Sequence, residues 1–179
     1  MSAIRFEATL FTIDTWTILR LPKEASVKLP SRGMVMVKGI INTVPFQAPL
    51  EPDGKGSHWF KVDKAMMSAI KAQVGDRVTL EIESMKEWPE PIIPEDLLKA
   101  LKSSPKEYSL WKRVTPMARW DWIRWIRSTK NPETRKKRIE VELSKLSKGM
   151  KRPCCFNRSM CCDPYVSKSG ILLDQNLNK

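Results

Sequence analysis

Residues 5–13 (RFEATLFTI) and 15–22 (TWTILRLP) alternate apolar with polar positions and are rich in β-branched and aromatic side chains. That pattern predicts two strands, each with one buried face, joined at Asp14-Thr15. LPKEASVKLPSRG has room for one short helical turn ending near Gly33, and MVMVKGIIN then predicts a third strand whose Val and Ile run implies burial on both faces. After Asn42-Thr43, VPFQAPLEP reads as an extended strand whose prolines assign it to a sheet edge or a bulge, because proline has no N–H for a ladder. The glycine turn DGKGS leads into HWFKV. VDKAMMSAIKAQVG predicts a helix capped by Asp63, with Met66, Met67 and Ile70 inward and Gly75 beyond its end. GDRVTLEIES sets Val78, Leu80 and Ile82 inward against Thr79, Glu81 and Glu83. About six short strands with brief connections predict a small, mostly antiparallel β-barrel.

The period changes after residue 85. KEWPEPIIPED carries three prolines and reads as an extended linker. PEDLLKALKSS is amphipathic at helical spacing. Three further helices announce themselves by the same device, a capping residue followed by proline at the first helical position: Ser104-Pro105, Thr115-Pro116 and Asn131-Pro132. The last helix closes at Gly149, and beyond Met150 the periodicity is gone. The expected class is α+β: a double-split-like barrel over residues 1–88, a basic helical domain over 89–150, and a flexible, cysteine-containing tail over 151–179.

Charge sharpens this division. Of the formal net charge of +12, Lys106 to Arg152 supply +10, from fifteen Lys or Arg against five Asp or Glu. At 179 residues and 41% hydrophobic composition the chain can bury a core, and no apolar run reaches the 18 or so residues of a membrane span. Glu7 and Asp14 interrupt the N-terminal stretch, so no signal peptide is expected and the compartment is read as cytoplasmic.

Candidate chemistry is sparse. All four cysteines, Cys154, Cys155, Cys161 and Cys162, form two adjacent pairs. Adjacent side chains of an extended chain point to opposite sides, unlike the two-to-four-residue spacing that brings two thiolates to one zinc ion. An incidental cluster is therefore expected in preference to a metal site or a redox thiol. The helix Trp120–Arg127 interleaves aromatics with arginines. Trp122, Ile123 and Ile126 fall on one helical face, so core packing is favoured over base stacking. The run Arg135-Lys136-Lys137-Arg138 opens a helix, at the positive end of its macrodipole, where four cations could meet an anion, although a solvated charged face is favoured. With Arg124 and Arg127 these residues form a candidate phosphate or nucleic-acid surface. Asn42, His58 and Trp59 form a candidate ligand site at the barrel mouth. No phosphate loop, nucleophile elbow, HExxH or dinucleotide fingerprint occurs in the sequence, and no catalytic set, metal or cofactor is expected.

The stretches F-E-A-x-L, W-x-I-L-x-L-P, R-G-M-V-x-V-K-G-I-I-N-x-V-P-F, P-D-G-K-G-S-H-W and V-G-D-R-V-x-L-E-I together resemble a bacterial β-barrel domain of unknown function. I-P-E-D-L-L-K-A-L and W-I-R-S-T-K-N-P-E-T-R-K-K-R-I resemble the helical region of bacteriocin-protection, YdeI or OmpD-associated proteins. The resemblance covers roughly residues 4–150. It implies a link to protection against bacteriocins and brings no established reaction or functional residue with it. With no complete catalytic constellation in the sequence, the expected role is non-enzymatic, exerted by binding an unknown protein or small-molecule partner. Nucleic acid stays as the alternative partner, by analogy with barrels of this class in transcription factors.

Overall fold

A computed structural model describes residues 2–129, 131–153, 165, 167 and 171–173. The chain divides into two compact units, Met1–Glu87 with Tyr165–Lys179, and Trp88–Pro164. In the first, β1 (Ile4–Thr9), β2 (Phe11–Ile13), β3 (Trp16–Arg20), β4 (Val35–Ile41), β5 (Val44–Pro52), β6 (His58–Lys61) and β7 (Arg77–Ser84) form one antiparallel sheet ordered β1-β7-β4-β5-β6-β3-β2. Two short helices, α1 (Lys23–Ser26) and α2 (Lys64–Ile70), accompany it.

β1 and β2 stand at opposite ends of that order, yet only Leu10 separates them in the chain, so the sheet curls into a half-barrel whose ends meet at a corner. Leu10 is fully buried there. Its N–H donates to Asp76 O at 2.9 Å and its carbonyl accepts from Gly75 N at 2.7 Å. The run expected as one strand is thus two. Alternation along β7 is as the pattern predicts, with Val78, Leu80 and Ile82 entering the core beside Leu19, Val37, Leu50 and Phe60. β4 is buried on both faces only over Val35–Val37, since Lys38 and Ile40 are exposed and its Val and Ile run does not keep both faces covered.

β5 corrects the edge expectation, since it lies between β4 and β6. The reason is length: β4 pairs along Val44–Leu50, whereas β6 pairs at Glu51 and Pro52. Pro45 and Pro49, four residues apart, share one side of the strand, and their missing donors face the stretch that β6 leaves unpaired. α2 is shorter than its pattern. Asp63 Oδ1 caps it by accepting from Met66 N at 2.7 Å, but Lys71 turns left-handed at φ 53° and ends it.

The second unit holds α3 (Glu95–Lys102), α4 (Pro105–Arg113), α5 (Pro116–Arg127) and α6 (Pro132–Ser147). All three helices begin at the expected prolines, but Ser104 makes no side-chain cap hydrogen bond, whereas Thr115 and Asn131 cap theirs. Thr115 Oγ1 accepts from Ala118 N at 3.2 Å, and Asn131 Oδ1 accepts from Glu133 N at 3.0 Å and Thr134 N at 3.2 Å. α6 ends as a glycine stop should: Gly149 has φ 78°, and Met150 N reaches back to Lys145 O at 3.0 Å. Leu97, Leu101, Trp111, Ala118, Trp122, Ile123, Ile126, Ile139 and Leu146 form the core.

The stretch expected as an extended linker belongs to this unit from Trp88 onward. Trp120 Nε1 donates to Pro89 O at 2.7 Å, and Trp88 meets Trp120 edge to face. Among the described residues, no helix is long and apolar enough to cross a membrane. Cys154, Cys155, Cys161 and Cys162 lie outside the described residues.

Candidate functional site

The structure does not bring Asn42, His58 and Trp59 together. Asn42 sits exposed in the β4–β5 turn at φ 54°, where its N–H donates to Thr79 O at 2.7 Å and its Oδ1 accepts from Thr79 N at 3.1 Å. His58 and Trp59 pair with Pro52 and Glu51 at the far end of β5, nine residues long. Both are buried, and Trp59 Nε1 donates to Pro52 O.

His58 holds the chain between α1 and β4 in place. Its Nε2 lies 2.8 Å from Gly33 O, which can only accept, so Nε2 carries the proton and Nδ1 is left as an acceptor for Ser26 Oγ–H at 2.6 Å. This resembles a nucleophile and its base. However, Ser26 is 0% and His58 1% exposed, and the third partner is a backbone carbonyl, so no substrate reaches the pair. Neighbouring Asp53 and Ser57 are likewise engaged: Asp53 Oδ1 accepts from Lys55 N and Ser57 N, and Ser57 Oγ donates to Leu21 O.

Burial depresses the His58 pKa and keeps the ring neutral, outweighing the opposing effect of the Gly33 hydrogen bond. The unfolded chain then binds the proton more readily. Stability from this residue is present above pH about 6.5 and is lost as pH falls through the lower folded value, by up to about 1.4 kcal/mol per pH unit. Melting of the barrel unit should accordingly weaken on the acid side, and a non-titrating His58→Gln variant, which keeps one donor and one acceptor, should flatten that arm. Parallel acid arms in the two proteins would contradict the assignment.

In the helical unit the predicted cations divide by helical spacing. Arg135 and Arg138, three apart, turn inward. Arg135 grips Asp96 with two bonds, Nε to Oδ2 at 2.9 Å and Nη2 to Oδ1 at 3.0 Å, and this pairing holds the Asp96 carboxyl below its usual pKa. Arg138 donates to Trp125 O and Ser128 Oγ and lies 5.4 Å over the Trp125 ring. Arg124 is half-buried on α5, and Arg127 is exposed, with Nη2 at 3.5 Å from Ile92 O. Lys136 and Lys137 project into solvent. The first-turn N–H groups of Glu133 and Thr134 are taken by Asn131, so the start of α6 is capped from within.

Beside Lys136 runs a largely apolar groove of about 500 Å³ between α3 and α6, floored by Ala100, Ile139 and Leu143, with Asp96 and Arg135 along it. Among the described residues, no group of three or more His, Cys, Asp or Glu is placed to hold a metal ion.

Arg119 and Glu142 are among the buried charged groups, with Glu51 and Asp121, that the sequence pattern does not announce. Arg119, 8% exposed, uses Nη1 to hold the carbonyls of Trp111, Lys112 and Val114 at the end of α4, while Nη2 pairs with Glu90. The Thr115-Pro116 start of α5 was the available signal, since it returns position 119 to the α4 terminus. Glu142 is fully buried with no hydrogen-bond partner for either oxygen, and burial pushes its carboxyl up to about 8. Its signal was the spacing Ile139, Glu142, Leu146 on one face of α6.

Comparison with known families is consistent with this division. Residues 6–82 match a family described as a domain of unknown function (DUF1905), and residues 90–149 match the family described as Bacteriocin-protection, YdeI or OmpD-Associated (OmdA). No curated protein matches the chain. The chain thus joins, in this order, a barrel of the DUF1905 family to a helical domain of the bacteriocin-protection, YdeI or OmpD-associated family.

Proposed function

We propose that the protein serves its bacteriocin-protection family by binding an anionic partner through the helical unit, without catalysing a reaction, and that it works in the cytoplasm. One observation carries the reading. The basic run of α6 divides into Arg135 and Arg138, which are engaged within the unit, and Lys136 and Lys137, which face solvent, with Lys136 on the rim of the apolar groove beside Glu140. Among the described residues Lys136 and Lys137 form no ion pair, which leaves them available to an outside charge, and the net +10 of Lys106 to Arg152 raises the local concentration of anions. A protein with an acidic, partly apolar surface suits the groove and its lysines together.

Nucleic acid is the second reading, favoured by the same exposed lysines. Polyglutamate, random-sequence DNA and random-sequence RNA are suitable probes at low salt. The Lys136→Ala, Lys137→Ala pair should weaken binding at unchanged melting temperature. Arg135→Ala with Arg138→Ala should instead lower the melting temperature, since those side chains serve the fold. Tighter binding to either oligonucleotide than to polyglutamate would put nucleic acid first. No binding to any probe would remove both readings.

A further inference from the structure

β3 and β6 are covered on both faces. Inward, Leu19 and Phe60 enter the barrel core; outward, Trp16, Ile18 and Trp59 join Phe11 and Ile13 in a second, separate cluster. Trp16 and Trp59 lie 6.0 Å apart and nearly parallel, with the Lys61 ammonium 3.9 Å above the Trp16 ring. Five large apolar side chains on the outer face of a small sheet require a cover. Here the cover comes from the far end of the chain.

Tyr165 meets Trp16 edge to face at 4.8 Å, and its hydroxyl donates to Asp14 Oδ2 at 2.6 Å. Leu172 is fully buried in the cluster, and its N–H donates to Asp53 O at 2.9 Å. The segment closes on itself as well: Ser167 N donates to Ile171 O, and Leu173 N to Tyr165 O, each at 2.8 Å. Where the sequence predicts a flexible tail, these residues are docked, because a leucine and a tyrosine at this spacing fill a gap between aromatic rings.

The geometry points to a peptide-docking groove on the outer face of β2, β3 and β6, whose resident ligand is carried by the chain's own Tyr165 and Leu172. Three features separate a tethered ligand from an ordinary strand of the fold. The whole helical unit, Trp88–Pro164, intervenes between the barrel and this segment. Its contacts fall on the second cluster, so the barrel core is complete without it. Finally, the groove lies within residues 6–82, matched by the barrel family, whereas 165–173 lies outside both family matches. The groove belongs to the barrel module and the occupant to this chain. This inference concerns the barrel unit and stands apart from the anionic partner proposed for the helical unit.

The test uses the full chain and a labelled synthetic peptide spanning residues 163–175. Leu172→Asp places a charge in the cluster and should release the resident segment. That variant is expected to bind the peptide saturably. The wild-type chain should bind at least about tenfold more weakly, because tethering gives its own segment an effective concentration that a free peptide must overcome. A peptide carrying the same Leu172→Asp change should not bind. Binding should also be insensitive to salt, which distinguishes it from the lysine-dependent binding of the helical unit. Equal binding to wild type and variant, or binding to neither at about millimolar peptide, would overturn the inference. Circular dichroism reports whether the variant barrel is folded. If Leu172→Asp does not fold, Leu172→Ala with Tyr165→Ala carries the same expectation. Failure of both to melt cooperatively contradicts the proposal, since a docking site survives the loss of its ligand.

Discussion

Replacing Gly39 with alanine is expected to unfold the barrel unit or to lower its melting temperature by more than about 10 °C, the effect of a loss of about 3 kcal/mol or more in a domain of this size. Gly39 sits on β4 opposite Ile82 of β7, two adjacent interior strands of the curled sheet. A Cβ there would lie 2.0 Å from Glu81 O and 2.9 Å from Ile82 Cα. Both are backbone atoms, so no side-chain rotation relieves the overlap and β4 must part from β7. Gly33 is the control: the nearest atom to its added Cβ is the Ser31 side chain at 3.4 Å, an ordinary contact. Gly33→Ala should melt like the wild type. Circular dichroism melts of the two variants check the claim, and equal stability would contradict it.

Glu142 governs the opposite end of the pH scale from His58. A free glutamate titrates at 4.5, whereas burial places Glu142 at about 8. The carboxyl therefore enters the folded helical unit protonated. Stability is fully present below pH 4.5, declines as pH rises from there towards 8, and levels off above. At about 1.4 kcal/mol per pH unit the whole displacement corresponds to the order of 5 kcal/mol, and water penetration reduces that to a few. Unfolding free energies from urea titrations of Glu142→Gln and Glu142→Leu should match the wild type near pH about 5 and exceed it by a few kcal/mol near pH about 9. Parallel pH profiles would show that Glu142 is solvated or paired. The two units thus weaken in opposite directions, the barrel on the acid side through His58 and the helical unit on the alkaline side through Glu142.

Local chemistry explains what was legible in the sequence. The Ser-Pro, Thr-Pro and Asn-Pro starts located α4, α5 and α6, and strict alternation oriented β7, because capping and pleating act over a few residues. What escaped depends on distant parts of the chain. Whether Pro45 and Pro49 stand on an edge depends on how short β6 is, and whether Gly39 matters depends on how closely β7 approaches. Tyr165 and Leu172 find their partners on β2, β3 and β6 across the length of the helical unit. Among the candidate site residues, the run Arg135 to Arg138 read as one patch because adjacency in sequence says little about direction on a helix. Spacing by three placed Arg135 and Arg138 on one side, and Asp96 and Trp125 completed the division.

The exposed cations of the helical unit are expected to engage an anionic partner. The most direct measurement is the affinity of the full chain for the best of the polyglutamate and oligonucleotide probes, titrated from about 50 to 200 mM salt. Affinity should fall linearly on logarithmic axes. The Lys136→Ala, Lys137→Ala pair should reduce that slope by up to about two, near one for each contact removed. Binding that ignores salt, or a slope unchanged in the double variant, would contradict the assignment of Lys136 and Lys137 to the partner surface.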